Sequence, residues 1–322
     1  MVDVERVKYL LEKLKDLKIL VVGDVILDSY LIGKVERISP EAPVPILEVE
    51  GEEFRLGGAG NVAKNLSSLG VKAFLCGVVG RDEAGSILKG LLADNGVEAF
   101  LVEDERPTTK KTRVVSLNQQ LLRIDWESRE RVKGESLNKL KEIIRDLEVE
   151  GIIVSDYAKG VITEEIIQEV KKKGVFWAID PRPVNKALYE GASLMTPNEK
   201  ELRELTKPFE GSIEALGKRL KEELNLETLV VTRGPKGMTL FGEEIKHFPA
   251  RARKVYDVTG AGDTVIATLT AFKLAGASWE EACELANVCA GIVVGEFGTA
   301  SVKPQQLLEE LKLYQEQGAH TD

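Results

Sequence analysis

The chain has 322 residues, of which 43% are hydrophobic, enough to bury the core of one large domain or two small ones. It has 53 acidic and 44 basic residues, and the net charge of −9 argues against nonspecific binding to nucleic acid or anionic membranes. Three cysteines (Cys76, Cys283 and Cys289) form neither an even set nor a metal-ligand spacing. They predict buried free thiols in a reducing compartment.

The N-terminal stretch 1–18 is charged throughout and predicts an amphipathic helix rather than a signal peptide. Its apolar face consists of Val4, Val7, Leu11 and Leu14. No stretch approaches the roughly 20 apolar residues of a membrane span. We therefore expect a cytoplasmic protein that binds neither membranes nor nucleic acid.

Short β-rich runs alternate with amphipathic stretches along most of the chain. The runs KILVVG, VKAFLCGVVG, GIIVSD, VFWAID, ASLMTP and TLVVTRG are separated by helical patterns such as 84–95, 164–173 and 212–223. This alternation is typical of an α/β protein with a parallel sheet flanked by helices.

Polar residues follow several of these strands, and in an open α/β sheet the carboxyl ends of the strands form the ligand-binding edge. The residues in question are Asp24, Arg81, Asp82, Asp156, Asp180, Asn198 and Arg233. Any one of them is equally well explained as an ordinary polar loop residue.

Two segments, 30–57 and 110–125, break the alternation, because both have the pattern of strands without intervening helices. They predict a small antiparallel β lid on the main body. No internal repeat, low-complexity tract or linker is present, so we expect a single domain over 1–322.

The stretch TPNEKE, residues 196–201, contains a capping box of Thr196 and Glu199 around Pro197 at the first helical position. We expect this box to use Glu199 and to leave Glu201 free.

The stretch DVTGAGDT, residues 257–264, is a glycine-rich turn that opens a helix. It lacks the third small residue of a dinucleotide fingerprint, where Val265 stands, and Asp263 replaces the lysine of a Walker loop. A carboxylate at Asp263 could accept a proton from an attacking hydroxyl, although it could also simply cap the helix. Consecutive amides at a helix start can hold an anion, and here they belong to Gly260, Ala261 and Gly262.

An earlier stretch, RLGGAGNVAKNLSSLGVKAFLCGVVGRDEAG, has a diglycine followed by Asn61 at the start of a helix. Together with the Asp-x-Thr-Gly-Ala-Gly-Asp loop of residues 257–263, it resembles the ribokinase family, also called the phosphofructokinase-B family of sugar kinases. The resemblance covers essentially the whole chain. It implies a ribokinase-like α/β fold and ATP-dependent phosphorylation of a sugar hydroxyl.

The resemblance also implies roles for individual residues. Residues 260–262 would form an anion hole and Asp263 would be the catalytic base. Sugar hydroxyls would be held by Asp24, Gly57, Gly58 and Asn61. Mg²⁺ and the phosphates of ATP would lie near Asn198 and Glu201, the glutamate acting through water. The nucleotide would also lie beside Thr232, Arg233, Gly234 and Asn287.

Two further implications concern ions and assembly. Family members often use a potassium ion beside the anion hole, which Asp257 and the loop 296–301 could supply with oxygen ligands. Lids in the family often pair, which implies a homodimer through the lid.

Three stretches, GDVILDSYLIGKVERISPEAPVPILEVE, NQQLLRID and DYAKG, are similar to those of the heptose 7-phosphate kinases within this family. Those enzymes phosphorylate the anomeric hydroxyl during lipopolysaccharide core synthesis. In many bacteria the kinase is fused to a nucleotidyltransferase with a His-x-Gly-His motif. The histidines of this chain are His247 and His320, so we expect that second activity to reside in a separate protein.

A sugar 7-phosphate requires cationic partners despite the net negative charge. Strand alternation places Lys111 and Arg113 on one face of the lid and Lys110 on the other. We favour Arg113 and Arg123, because arginine binds phosphate in a bidentate manner, and Lys159, because it follows Asp156 at a strand end. Asp156 itself is a further candidate contact for the sugar substrate. Surface lysines are more often simply solvated. A kinase for another sugar, or a silent sugar-binding protein on the same fold, remains an alternative.

Overall fold

The computed structural model describes residues 2–251, 254–296, 298 and 300–318. Helices in these ranges are α1 (Val4–Leu14), α2 (Ala59–Leu69), α3 (Glu83–Asp94), α4 (Gly134–Asp146), α5 (Glu164–Lys172), α6 (Glu199–Leu205), α7 (Ile213–Glu223), α8 (Ala261–Leu274), α9 (Trp279–Val294) and α10 (Pro304–Gly318). The strands are β1 (Lys18–Gly23), β2 (Val25–Ile38), β3 (Pro45–Gly58), β4 (Lys72–Gly80), β5 (Glu98–Asp104), β6 (Lys110–Ser116), β7 (Gln119–Trp126), β8 (Gly151–Ser155), β9 (Phe176–Asp180), β10 (Leu194–Met195), β11 (Thr228–Thr232), β12 (Met238–Phe241) and β13 (Ile245–Phe248).

The main sheet has the strand order β13-β12-β11-β10-β9-β8-β1-β4-β5. Seven neighbouring strands of this sheet pair in parallel; they are β11, β10, β9, β8, β1, β4 and β5. At the other edge, β12 pairs antiparallel with β11, and β13 pairs antiparallel with β12. The predicted parallel sheet with flanking helices is therefore confirmed. Its parallel strands all end at the same edge, which is where polar side chains can meet.

Both faces of the main sheet are covered by helices, and β1 shows how the sequence achieves this. Ile19 and Val21 pack into the core cluster that contains residues of α1, α2, α8 and α9, whereas Leu20 and Val22 pack into the cluster with α4, α5 and α7. A strand that alternates between two apolar cores must be hydrophobic throughout, as the run KILVVG is. No helix in the described ranges has both the length and the apolar character to cross a bilayer.

A second sheet of four described strands, in the order β3-β2-β6-β7, forms the predicted lid. Its strands extend the predicted segments slightly, since β2 begins at Val25 and β7 ends at Trp126. Both outer pairs are antiparallel, but the central pair of β2 and β6 is parallel. The reason is that β2 follows β1 and β6 follows β5, and these two strands of the main sheet run in the same direction.

Candidate active site

The N-terminus of α8 forms the centre of the site. Gly260 is the N-cap residue and has a φ of 78°, a left-handed conformation that glycine adopts without steric cost. The helix that follows leaves its first-turn amides without intrahelical acceptors. Gly260 and Gly262 both line a polar cavity of about 300 Å³. Two residues of the predicted anion hole, Gly260 and Gly262, thus lie at the wall of this cavity, whereas the amide of Ala261 donates to the backbone oxygen of Val258 at 3.3 Å.

Asp263, in the first turn of α8, also lines this cavity although its side chain is largely buried. One carboxylate oxygen accepts a hydrogen bond from Asn61 Nδ2 at 2.8 Å, and the other accepts one from the Tyr157 hydroxyl at 3.0 Å. Burial raises the pKa of Asp263 to about 6, although the two hydrogen bonds act in the opposite direction. The carboxylate is therefore ionised at neutral pH and can accept a proton.

Asn61 lies in α2 and is held by a buried polar chain that connects α2 with α8. Asn65 Nδ2 donates to the backbone oxygen of Asn61 at 2.8 Å, and the Thr264 hydroxyl donates to Asn65 Oδ1 at 2.9 Å. The sequence assigned Asn61 to sugar hydroxyls. The structure instead places its amide on Asp263 and does not include it among the residues that line the cavity.

The lid side of the cavity is charged. Arg113 on β6 donates to Asp28 on β2 at 2.9 Å, and both side chains line the cavity together with Lys111. The predicted residues Gly57 and Gly58 line it as well. A Cβ at Gly57 would lie 2.5 Å from Asp28 Oδ2, so a side chain there would displace the Asp28 carboxylate. Burial lowers the pKa of Lys111, and the neighbouring charges of Lys159 and Arg123 lower it further.

Two of the predicted phosphate contacts do not line this cavity. Arg123 lies on the exposed strand β7, where its guanidinium donates twice to Asp125 at 2.9 Å. The ammonium of Lys159 forms an ion pair with Glu127. Both side chains are near enough to Lys111 to affect its pKa, but each already has a carboxylate partner.

Two of the predicted sugar contacts are also absent from the cavity wall. The buried Asp24 carboxylate accepts hydrogen bonds at 2.8 to 3.3 Å from three backbone amides of the connection between β8 and α5. These amides belong to Tyr157, Lys159 and Val161. The buried Asp156 carboxylate accepts from the Tyr189 hydroxyl at 2.6 Å and from Asn185 at 2.8 Å. Both carboxylates thus hold the connection between β8 and α5 in place.

A second cavity of about 300 Å³ lies on the other side of the α8 N-terminus. Its lining is mostly apolar and includes Val255, Val258, Val265, Ala290 and Val294, together with the predicted residues Gly234 and Asn287. The two cavities share three wall residues: Asn198, Thr232 and Gly262. An apolar cavity and a charged cavity therefore meet at the predicted anion hole.

Arg233 was predicted to lie beside the nucleotide, but it lines neither cavity. Its guanidinium donates to Glu199 at 2.6 Å. Glu199 therefore forms an ion pair with Arg233, and the predicted capping box of Thr196 and Glu199 was wrong.

The capping box of α6 is formed instead by Asn198 and Glu201, because Thr196 and Pro197 stay extended beside β9 and β11 and the helix begins only at Glu199. The expectation that Glu201 is free was therefore wrong. Its carboxylate accepts from the Asn198 backbone amide at 3.0 Å and from Arg182 at 2.9 Å. Glu201 still lines the charged cavity, and burial raises its pKa.

The charged cavity also has an acidic wall. Asp180 at the end of β9 lines the charged cavity beside Arg182, whose guanidinium is 3.9 Å away. Burial raises the pKa of Asp180 well above its usual value, with Arg182 opposing the effect. The buried Thr196 hydroxyl has no hydrogen-bond partner in the described part of the chain. No cluster of three His, Cys, Asp or Glu side chains suited to a metal occurs among the described residues.

Asp257, predicted to bind a monovalent cation, accepts hydrogen bonds from the amides of Thr259 at 2.9 Å and Gly298 at 3.1 Å. Burial alone would raise its pKa, but these hydrogen bonds hold it below the usual value. In the predicted partner loop 296–301, Phe297 and Thr299 lie outside the described residues.

Among the charged and aromatic residues that line the charged cavity, sequence reasoning missed Asp28, Lys111, Tyr157 and Arg182 as site residues. For Lys111 a signal was present, because strand alternation put it on the same face as Arg113. For Arg182 the signal was its position directly after a strand that ends in Asp180. Tyr157 gave no signal, since only the tertiary structure shows which way the connection after β8 turns.

Comparison with known proteins identifies the type of protein. The model of the "pfkB family carbohydrate kinase" matches residues 16–306. The chain belongs to the pfkB family of carbohydrate kinases. It is thus an ATP-dependent sugar kinase, and the two adjoining cavities are consistent with two substrates.

Named relatives within the pfkB family cover nearly all of the chain. A D-beta-D-heptose 7-phosphate kinase of Bordetella bronchiseptica is 44% identical, over 94% of this chain and 99% of that protein. A bifunctional protein HldE of Pseudomonas paraeruginosa is 46% identical, over 94% of this chain and 64% of that protein. The chain spans about two thirds of the length of the HldE relatives.

Solved structures confirm the ribokinase-like fold. Phosphofructokinase-2 from Escherichia coli, in complex with potassium, aligns with a TM-score of 0.79 at 21% identity and covers 92% of this chain and 99% of its own. Ribokinase from Thermotoga maritima aligns with a TM-score of 0.75 at 23% identity, with the same coverage.

Proposed function

We propose that this pfkB-family kinase transfers the γ-phosphoryl group of ATP to the anomeric hydroxyl of D-glycero-D-manno-heptose 7-phosphate, giving the 1,7-bisphosphate. The observation that carries the proposal is the meeting of the apolar and charged cavities at residues 260–263. The relatives named heptose 7-phosphate kinase or HldE support the choice of sugar. The proposal treats the chain as one kinase domain over 1–322.

In this proposal ATP places its base in the apolar cavity, beside Gly234 and Asn287, and its phosphates near Asn198 and Thr232. The sugar occupies the charged cavity. Asp263 removes the proton of the anomeric hydroxyl, whose oxygen then bonds to the γ-phosphorus while the bond to the ADP oxygen breaks. The first-turn amides of α8 stabilise the negative charge on the transferring group.

Lys111 and Arg113 are the lid cations that face the charged cavity, and we assign the 7-phosphate to them. A partly buried ammonium and a guanidinium give charge-assisted hydrogen bonds, which are stronger than neutral ones. Asp28, on the same wall, is a hydrogen-bond acceptor for sugar hydroxyls, and Gly57 and Gly58 let the sugar approach the backbone. Arg123 and Lys159 contribute through the field that they create at Lys111.

The acidic wall of the charged cavity fits a magnesium ion. Asp180, Asn198 and Glu201 supply oxygen donors, which Mg²⁺ prefers, and the unpartnered Thr196 hydroxyl adds another. When bound, Mg²⁺ would neutralise phosphate charge. Arg182 stands among the same acids and is a second source of positive charge.

The proposal extends to potassium and to assembly. A monovalent cation beside Asp257 would tie the 257–260 loop to the segment around Gly298, which already donates to that carboxylate. A homodimer would form through the lid. Activity that is indifferent to replacing potassium by a bulky organic cation would remove the cation from the proposal.

The function is tested by measuring ADP release over a panel of sugars and sugar phosphates with the purified protein. We expect the highest kcat/KM with heptose 7-phosphate, and phosphorus NMR of the product should show a new anomeric phosphate. Equal kcat/KM for heptose and heptose 7-phosphate would leave only the broader sugar kinase. Turnover of no substrate would favour the silent sugar-binding alternative.

A further inference from the structure

Tyr157 lies in the stretch DYAKG, between Asp156 and Lys159, the two residues of that stretch to which the sequence assigned substrate contacts. Neither of those two lines the charged cavity, but Tyr157 does. Its hydroxyl donates to Asp263 at 3.0 Å. The side chain that this connection delivers to the site is therefore the tyrosine.

Three features fix the position of Tyr157. Asp24 accepts the backbone amide of Tyr157 at 2.8 Å and also those of Lys159 and Val161, so the connection curls around one buried carboxylate. Ala158 adopts a left-handed conformation with a φ of 57°, which turns the chain directly after the tyrosine. The Arg182 guanidinium covers the ring at 4.4 Å from its centroid. A side chain held in this way loses little further entropy when it acts on a neighbour.

We propose that Tyr157 is a positioning residue that, with Asn61, fixes the plane of the Asp263 carboxylate and stabilises its ionised form for proton removal. The inference rests on the proposed role of Asp263 as the base. Each carboxylate oxygen has two acceptor sites, so the hydrogen bonds from Tyr157 and Asn61 leave one site on each oxygen for the sugar hydroxyl. The proton moves from that hydroxyl to Asp263, and Tyr157 keeps its own.

The charges around Asp263 determine how removal of the Tyr157 hydroxyl would act. Arg182, on the connection after β9, favours the carboxylate, whereas Asp28 on β2 and Asp180 at the end of β9 oppose it. Lys111 and Arg113 add positive charge from the lid side of the same cavity. None of these groups donates a hydrogen bond to the oxygen that Tyr157 holds. Loss of the hydroxyl should therefore raise the pKa of Asp263, and the acidic limb of the rate profile should move to higher pH.

The test compares Tyr157→Phe with Tyr189→Phe. Tyr189 is the control, because its hydroxyl also donates to an aspartate, Asp156, and its other hydrogen bonds are to the Arg182 backbone, so that it does not touch Asp263. We expect Tyr157→Phe to lower kcat about tenfold and to shift the acidic limb of kcat/KM upward by about 0.5 to 1 pH unit. Tyr189→Phe should lower the melting temperature and leave the limb in place.

Two further measurements keep the test decisive. The ¹³C chemical shift of the Asp263 carboxyl reports its titration without any substrate. The midpoint of this titration should move to higher pH in Tyr157→Phe but not in Tyr189→Phe. Site-specific 3-fluorotyrosine at position 157 changes the side chain by one atom and strengthens the donor, so it should move the same titration downward, even if the Phe variant does not fold.

Equal titrations in wild type and both Tyr157 variants would overturn the inference. A kcat loss matched by Tyr189→Phe, with no change in the limb, would reduce Tyr157 to a packing role and overturn it too. Failure of the proposed function would look different. Either the wild type would not turn over any substrate, or Asp263→Asn would retain activity, while the titration of Asp263 in the wild-type background would still respond to changes at Tyr157.

Discussion

At the scale of single residues, the candidate site depends on which partner each charged group has. Asp24 and Asp263 are both buried carboxylates, but Asp24 accepts three backbone amides, whereas Asp263 accepts only side-chain donors and lines a cavity. The first arrangement holds a chain connection in place, and the second leaves acceptor capacity for a ligand.

Replacing Asp263 with Asn should lower kcat by about 10²- to 10⁴-fold, because an amide cannot remove the proton of the sugar hydroxyl. Affinity for ATP should be largely retained, since the α8 amides and the apolar cavity are unchanged. Steady-state kinetics together with calorimetric ATP titration checks both parts. A loss of turnover smaller than tenfold would show that another group is the base.

The basic residues of the lid give a second prediction. Lys111→Ala should reduce kcat/KM for heptose 7-phosphate by roughly tenfold or more, because a charge-assisted hydrogen bond contributes about 1.5 to 3 kcal/mol. It should have little effect on unphosphorylated heptose. Lys34→Ala is the control, since Lys34 on β2 is an exposed lid lysine that pairs with Glu50 and lies outside the cavity wall. Equal losses for both substrates in Lys111→Ala would indicate that the side chain only supports the lid.

At the scale of elements, the start of α8 combines a backbone requirement with an open surface. Gly260 has a positive φ, which other residues adopt at a steric cost. Gly262 is helical, and a Cβ there would meet nothing within 4 Å. Gly262 nevertheless lies in the walls of both cavities, so the space around it is where the transferred group would pass.

These two glycines should therefore respond differently to alanine. Gly260→Ala should destabilise the protein by about 1 to 2 kcal/mol because of the left-handed backbone. Gly262→Ala should keep or slightly increase stability, because alanine favours a helix by about 0.5 to 1 kcal/mol over glycine, but its methyl group should reduce kcat/KM at least about tenfold. Denaturant unfolding and turnover assays separate the two effects. A fully active Gly262→Ala would place the phosphoryl path elsewhere.

At the scale of the whole molecule, buried carboxylates in and beside the site lower the stability of the folded protein at neutral pH. Burial raises the pKa of Asp263 to about 6, and burial and the charge of Asp156 raise that of Asp24 to about 6. A raised folded-state pKa means that the folded protein binds protons more tightly than the unfolded chain. These groups therefore favour folding at low pH, and that contribution is lost as the pH rises through about 6.

The Asp263→Asn variant should reveal this cost as a pH dependence. Its free energy of unfolding relative to wild type should increase by about 2 kcal/mol between pH 4 and pH 7. Asp257→Asn is a control of opposite sign, because the pKa of Asp257 is lowered and its contribution to stability is lost as the pH falls. Denaturant unfolding across this pH range measures both variants. If the free energies of unfolding of the two variants, relative to wild type, changed with pH in the same direction, the opposite pKa shifts of Asp263 and Asp257 would be contradicted.

The lid provides the last prediction. Strand β7 is exposed along its whole length and carries apolar side chains, and the β6–β7 turn adds Leu117, which is 90% exposed. Large exposed apolar surface is typical of an interaction site. If the lid pairs with a second copy, Leu122→Glu should convert a dimer into a monomer in sedimentation velocity experiments, whereas Tyr9→Glu, on the exposed side of α1, should not. A monomeric wild type would remove the homodimer from the proposal.

The sequence by itself determined the features that depend on local pattern. Apolar runs such as KILVVG gave the parallel sheet, because a strand with a core on both faces must be hydrophobic throughout. The loop at 257–263 gave the centre of the site, since the requirement for glycines and an acid at a helix start is local. Only the tertiary structure decided which polar side chains turn toward the cavity. Asp24 turned away to bind backbone amides, and Tyr157 turned in. Such choices depend on contacts between residues more than a hundred positions apart, which no local pattern records.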